Sequence, residues 1–173
     1  MTMMQLYATA AGLALALACG DAGADRAATP PATAVRPPAA PLDPCALLTQ
    51  AEAAALLGKP ARAPEKGSGS TCTYAAQSGR GEIMLHLMPL TFGSKEEFQA
   101  FLVEDTEKMN ERVRKSLGDA VKPVRVEQVS EVGEPAYYVD PTLIVLKEGR
   151  VLSILAADRN QAVAVAAKAV PRF

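Results

Sequence analysis

A single histidine and no tryptophan stand among 173 residues, and aromatic side chains make up only 5% of the chain. One imidazole excludes a multi-histidine zinc centre and any histidine pair with a spare ligand. Charge of one sign is missing as well: 18 Lys and Arg face 19 Asp and Glu, and the pI is near 5.9. So balanced a chain lacks the basic field that holds nucleic acid, and no nucleic-acid partner is expected. There is no Gly-x-Ser-x-Gly elbow and no Walker A string, and Ser68-Gly69-Ser70, Ser78-Gly79 and Gly79-Arg80-Gly81 read as turns. Strongly apolar runs are also scarce. Ala8 to Ala18 is mostly alanine, with leucine only at Leu13, Leu15 and Leu17. That is weaker than the stretch of about 20 apolar residues a permanent membrane span needs.

What is present begins with an export signal. No charged side chain occurs from Met1 to Gly20, and the Ala8–Ala18 run has the length of a signal-peptide h-region, so residues 1–18 are read as a signal peptide. Small Ala18 directly before Cys19, with Leu15 and Leu17 upstream, resembles the lipobox at which bacterial lipoproteins are cleaved and acylated. It departs from that pattern at Ala16, where leucine is usual, and in having no Lys or Arg in the n-region. Plain secretion with cleavage near Ala18 stays open, as does initiation further upstream. The resemblance implies that Cys19 carries the acyl groups, palmitate among them, and that the membrane is a partner through this lipid. Gly20 in place of aspartate implies an outer-membrane address in a cell with two membranes.

Residues 19–44 follow as a tether. Of 33 alanines in the chain, 14 precede Cys45, and the 25 residues from Gly20 to Pro44 hold eight alanines and six prolines. With almost nothing large to bury, this stretch is expected to be disordered or polyproline-like, reaching roughly 75 Å at about 3.1 Å per residue. Residues 45–173 then read as one domain with 16 acidic and 16 basic side chains.

Its pattern is α+β: a mostly antiparallel sheet of about five or six strands covered by helices. Thr49 and Glu52 form a capping box and Gly58 a left-handed stop, so a helix is expected over Gln50–Leu57, fastened by Leu47, Leu48, Leu56 and Leu57. Strands are expected at Thr71–Ala76 and Glu82–Met88, and then at Val124–Val129, Ala136–Val139, Leu143–Leu146 and Val151–Ala156. Lys147-Glu148-Gly149-Arg150 reads as a tight turn between the last two. Ser94 and Glu97 open a helix that runs to Gly118, with Phe98, Phe101, Leu102, Met109, Val113 and Leu117 at helical spacing. Asp105 and Thr106 interrupt that stripe and predict a kink or a solvent gap. Asn160 is expected to cap a last helix through Ala169, stopped before Pro171.

Asp43-Pro44-Cys45-Ala-Leu-Leu-Thr49-x-x-Glu52, Leu57-Gly58, Cys72-x-Tyr74 and Gly133-Glu-Pro-Ala136-Tyr137-Tyr138 resemble a family of small bacterial lipoproteins of unknown function. The resemblance covers roughly residues 43 to 170. It implies an envelope-exposed binding or interaction domain, and a layout similar to extracytoplasmic domains of the PsbP/Mog1 type. It brings no catalytic residues with it.

Three cysteines in an exported chain leave an odd thiol unless acylation takes Cys19. Cys45 and Cys72 are then expected to pair, closing a loop of 28 residues; the chain-entropy account puts the gain at about 3 to 4 kcal/mol. Tyr137 and Tyr138, at consecutive strand positions, point to opposite faces, one to the core and one free to line a ligand groove. In Glu82–Met88 the alternation sets Met84, His86 and Met88 on one face, two thioethers flanking one imidazole. That donor set suits Cu(I), whereas methionine as a packing residue is the plain explanation. Glu96/Glu97 and Glu104/Asp105 read as a solvated helix face. No cofactor is expected. The reading that results is a lipid-anchored, non-catalytic module that binds a protein or a small apolar ligand in a groove between helix and sheet. The competing readings are a periplasmic Cu(I)-binding protein and a cryptic envelope hydrolase.

Overall fold

Segments in which apolar side chains alternate with polar ones must bury one face, and strands of this kind form the centre of a seven-stranded antiparallel sheet. The computed structural model describes residues 41–173. The strands are β1 (Glu65–Lys66), β2 (Thr71–Ala75), β3 (Glu82–Thr91), β4 (Val126–Val129), β5 (Ala136–Val139), β6 (Thr142–Lys147) and β7 (Arg150–Leu155). Their order is β1-β2-β3-β7-β6-β5-β4. Two meanders, β1–β3 and β4–β7, thus meet where β7 pairs with β3, with Leu85 opposite Ile154 and Leu87 opposite Leu152. Three helices complete the α+β fold: α1 (Gln50–Leu57), α2 (Lys95–Leu117) and α3 (Arg159–Ala169). The strand count exceeds the expected five or six by β1, a short exposed edge pairing that sequence alternation does not mark.

Local chemistry sets the boundaries. Thr49 accepts from the Glu52 N–H and Glu52 accepts from the Thr49 N–H, so the capping box is complete, and Gly58 ends α1 in the left-handed region at φ 66°. Glu148 and Gly149 both have positive φ, which fits the mirror-image hairpin turn between β6 and β7. Two expectations need correction. Asp158, not Asn160, caps α3, because its carboxylate accepts from the Gln161 N–H at 2.9 Å while the Gln161 side chain accepts from the Ala157 N–H. Moreover, α2 runs unbroken past Asp105, and Thr106 is only 6% exposed, so no solvent gap opens there.

The two faces of the sheet are covered unequally. On one, Tyr74, Ile83, Leu85, Leu143, Val145, Leu152 and Ile154 pack under α1 and α3. α3 lies close because its buried positions are Ala162, Val165, Ala166 and Ala169. On the other, α2 contributes Phe98 and Leu102 against Tyr137, Leu146 and Val151. Along the apolar stripe of α2, Phe98 and Leu102 are buried together with Thr106, whereas Met109 and Val113 are half-buried. Leu117 is 66% exposed, and past Thr106 no residue of α2 is buried.

The segment after α3 is tied to the start of α1. Arg172 donates two hydrogen bonds of 2.7 Å to the Glu52 carboxylate and a third to the Leu47 carbonyl. The Arg172 guanidinium, followed by the Thr49 N–H and hydroxyl, holds the Glu52 carboxyl well below the usual glutamate range. A group whose folded pKa is depressed stabilises the fold above its unfolded pKa and loses that contribution as pH falls. Thermal unfolding followed from neutral pH downward should therefore show Glu52→Gln less stable than the parent chain at pH 7. The gap should close progressively below the ordinary glutamate value of 4.5.

Candidate functional site

The face of the sheet that α2 only partly covers gathers most of the residues singled out by the sequence. Met84, His86 and Met88 lie on this face of β3 and are half-buried, as the strand alternation requires. In register with His86 stand Thr71 on β2 and Ser153 on β7, and beyond them Ile144 and Tyr137. The neighbouring row is Thr73, Met84, Leu155, Thr142 and Val139. α2 passes over the other end of these rows, with Met88, Ile144 and Val126 packed against its cluster. Met84 and Leu155 pack against neither apolar cluster.

Among the described residues an uncovered corner results, made of Thr71, Thr73, Met84, His86, Ser153 and Leu155, all half-buried. None of the six is an Asp, Glu, Lys or Arg, in a chain that is 21% charged. Methyl, thioether and hydroxyl groups share this corner with one imidazole. That surface can meet a partner with weakly polar contacts at little desolvation cost.

The structure sorts the two methionines that flank His86. Met88 is a packing residue beneath α2, alongside Leu90 and Phe92. Met84 is left as the thioether free to turn toward His86, whose imidazole makes no hydrogen bond among the described residues. Among those residues no three His, Cys, Asp or Glu side chains gather as a metal site, so a metal reading rests on nitrogen and thioether together. No hydrogen bond joins Ser153 or Thr71 to His86, and the hydrolase reading gains no nucleophile–base pair from this row.

Tyr137 and Tyr138 do point to opposite faces, and both are buried. Tyr137, 1% exposed, sits edge-on to Phe98 under α2 and donates to the Gln99 side-chain oxygen at 3.0 Å. It is core. Tyr138, 8% exposed, donates to Asp140 at 3.0 Å, and burial followed by the Asp140 carboxylate pushes its phenol above the ordinary value. Its rim borders a cleft of about 490 Å³ together with Lys122, Arg125, Glu127 and Asp140. The paired carboxylates Glu96/Glu97 and Glu104/Asp105 are exposed on α2.

Cys45 and Cys72 form a disulfide with Cα atoms 5.1 Å apart. Tyr74, two positions along β2 and on the same face, donates its hydroxyl to the Leu48 and Cys45 carbonyls. Burial, then the Asp43 and Glu52 carboxylates, push this phenol up to about 12. Cys19 and residues 1–40 in general, where a signal peptide and most of a tether are expected, lie outside the described residues. Among those described, no helix is long and apolar enough to cross a membrane.

The uncovered corner has a direct test in stability. Met84→Lys and Leu155→Lys, at half-buried positions outside both apolar clusters, should each cost no more than about 1 kcal/mol in denaturant titrations. Leu152→Ala, three residues back along β7 from Leu155 and on the covered face, should cost about 2 to 5 kcal/mol. No family model, curated protein or solved structure matches the chain.

Proposed function

We propose that this protein is an exported, envelope-anchored lipoprotein whose domain, residues 45–173, works as a non-catalytic binding module. In this reading residues 1–18 are the signal peptide, Cys19 is acylated and the following Ala/Pro-rich stretch is the tether. One observation carries it: the Cys45–Cys72 disulfide accounts for two of three cysteines. Such bridges persist in oxidising compartments outside the cytosol, and the remaining cysteine is the one that follows the apolar leader. The uncovered corner around Met84, His86 and Leu155 is the binding face, and a partner with an uncharged, largely apolar contact surface fits it. Expressed in a bacterial host, the chain should carry acyl mass on its N-terminal Cys19 and stay with the membrane fraction. Cys19→Ala should abolish the lipid and release the protein. Full membrane retention without an acylated Cys19 would refute the anchor.

A second reading, Cu(I) binding, is favoured by the pairing of an imidazole without a protein hydrogen bond with a thioether outside both cores. Side chains two apart on a strand stand about 7 Å apart at the backbone, and leaning toward one another brings both onto one soft ion. Competition against a chromogenic chelator should then give sub-micromolar Cu(I) affinity that His86→Ala removes and Met84→Leu weakens more than Met88→Leu. Wild-type protein without that affinity leaves His86 and Met84 as part of the binding face alone.

A further inference from the structure

The charges of α2 fall into two blocks. From Lys95 to Glu107 there are five acidic side chains and one basic. From Lys108 to Arg125, in the second half of α2 and the turn toward β4, there are six basic side chains against Glu111 and Asp119. Because residues 45–173 carry 16 charges of each sign, six minus two leaves four excess positive charges at this end, balanced by an equal negative excess elsewhere. Lys108 and Lys115 are paired with Glu104 and Glu111 along the helix. Arg112, Arg114, Lys122 and Arg125 are exposed and have no ion-pair partner among the described residues.

The same end holds exposed apolar groups. Beyond Thr106 no residue of α2 is buried. Leu117 is 66% exposed and Val121, three residues into the turn, 41%. Helical spacing sets Arg112, Arg114 and Lys115 around the axis on several sides of Leu117. Cations distributed around an aliphatic tip suit a broad, planar negative surface with an apolar interior better than a single directed anion site.

We propose that the end of α2 and its turn, centred on Leu117 and Val121, docks onto an anionic phospholipid bilayer. The aliphatic tip enters the headgroup layer and the unpaired Arg and Lys side chains meet lipid phosphates. Phosphate along a nucleic-acid backbone would use the cations but leave Leu117 and Val121 without a role. The docking is separate from the binding face. It rests on the proposed export only for which membrane the domain meets. With Cys19 acylated, a tether reaching roughly 75 Å keeps the domain near the bilayer, so that even a weak surface contact acts at high effective concentration.

The test uses the full chain bearing Cys19→Ala, so that no acyl group contributes. Co-sedimentation with vesicles containing roughly a third phosphatidylglycerol should show binding that falls steeply with added salt, and pure phosphatidylcholine vesicles should show little. Arg112→Glu, Arg114→Glu and Lys122→Glu together should lower the affinity by at least about a hundredfold, at roughly fivefold for each basic residue removed. Leu117→Ser should lower it severalfold. Both variants change exposed side chains and should keep the parent melting temperature. Absence of binding to phosphatidylglycerol vesicles, equal binding to both lipids, or an unaffected triple variant would overturn the proposal. Retention on heparin without vesicle binding would also overturn it and assign the basic end to a soluble polyanion. Failure here with intact acylation in cells refutes the docking alone, and vesicle binding by a chain never acylated in cells refutes the anchor alone.

Discussion

The pairing of β3 with β7 is the contact on which the molecule depends. It joins two meanders whose nearest register positions, Thr91 and Arg150, are 59 residues apart in the sequence. Each meander alone would leave a strand edge and a buried face open to water. Joined, they set Leu85 beside Ile154 and Leu87 beside Leu152 under α1 and α3, and on the opposite face they align His86 with Ser153 and Met84 with Leu155. The core and the candidate binding face are therefore two sides of one register. A slip by one residue would exchange them, sending His86 and Ser153 into the apolar interior.

The unequal covering of the two faces has a physical origin in the helices. α3 offers alanines and valines, so its backbone approaches closely and the four side chains Ala162, Val165, Ala166 and Ala169 are wholly buried. α2 is twice as long and wedges against the sheet through two large groups near its start, Phe98 and Leu102. Its link to the region before β4 is polar: Asn110 exchanges two hydrogen bonds with the Val124 backbone, at 2.8 and 2.9 Å. That bidentate clasp ties the second half of the helix to the segment leading into β4.

Most elements were legible because their signals are local. The Thr49/Glu52 box, Gly58, the Ser94 cap and the Glu148-Gly149 turn each state a boundary in a few residues, and the structure places them there. The pairing of Cys45 with Cys72 followed from cysteine counting. What escaped the sequence is relational. Met109, Val113 and Leu117 continue the stripe of Phe98 and Leu102, and nothing in the spacing tells that the sheet ends beneath them. Burial of both tyrosines escaped for the same reason, since alternation gives opposite faces but not what covers each. At the last helix, Asp158 and Asn160 are both good caps, and the reach of Gln161 back to Ala157 decided between them.

The disulfide also defines how the domain bears force. Tension applied to the chain ahead of Cys45 meets a branch at that residue. One path runs along the backbone through α1 and the Gly/Ser loop, and the other passes through two sulfur atoms straight into β2, which is hydrogen-bonded on both sides. The covalent shortcut is the stiffer, so it takes the load and leaves α1 and residues 46–71 slack. Pulling is then resisted by shearing a strand from within a sheet, whereas the reduced chain would peel α1 away first. Oxidation thus converts the entry point of the chain from a hinge into a rigid mount.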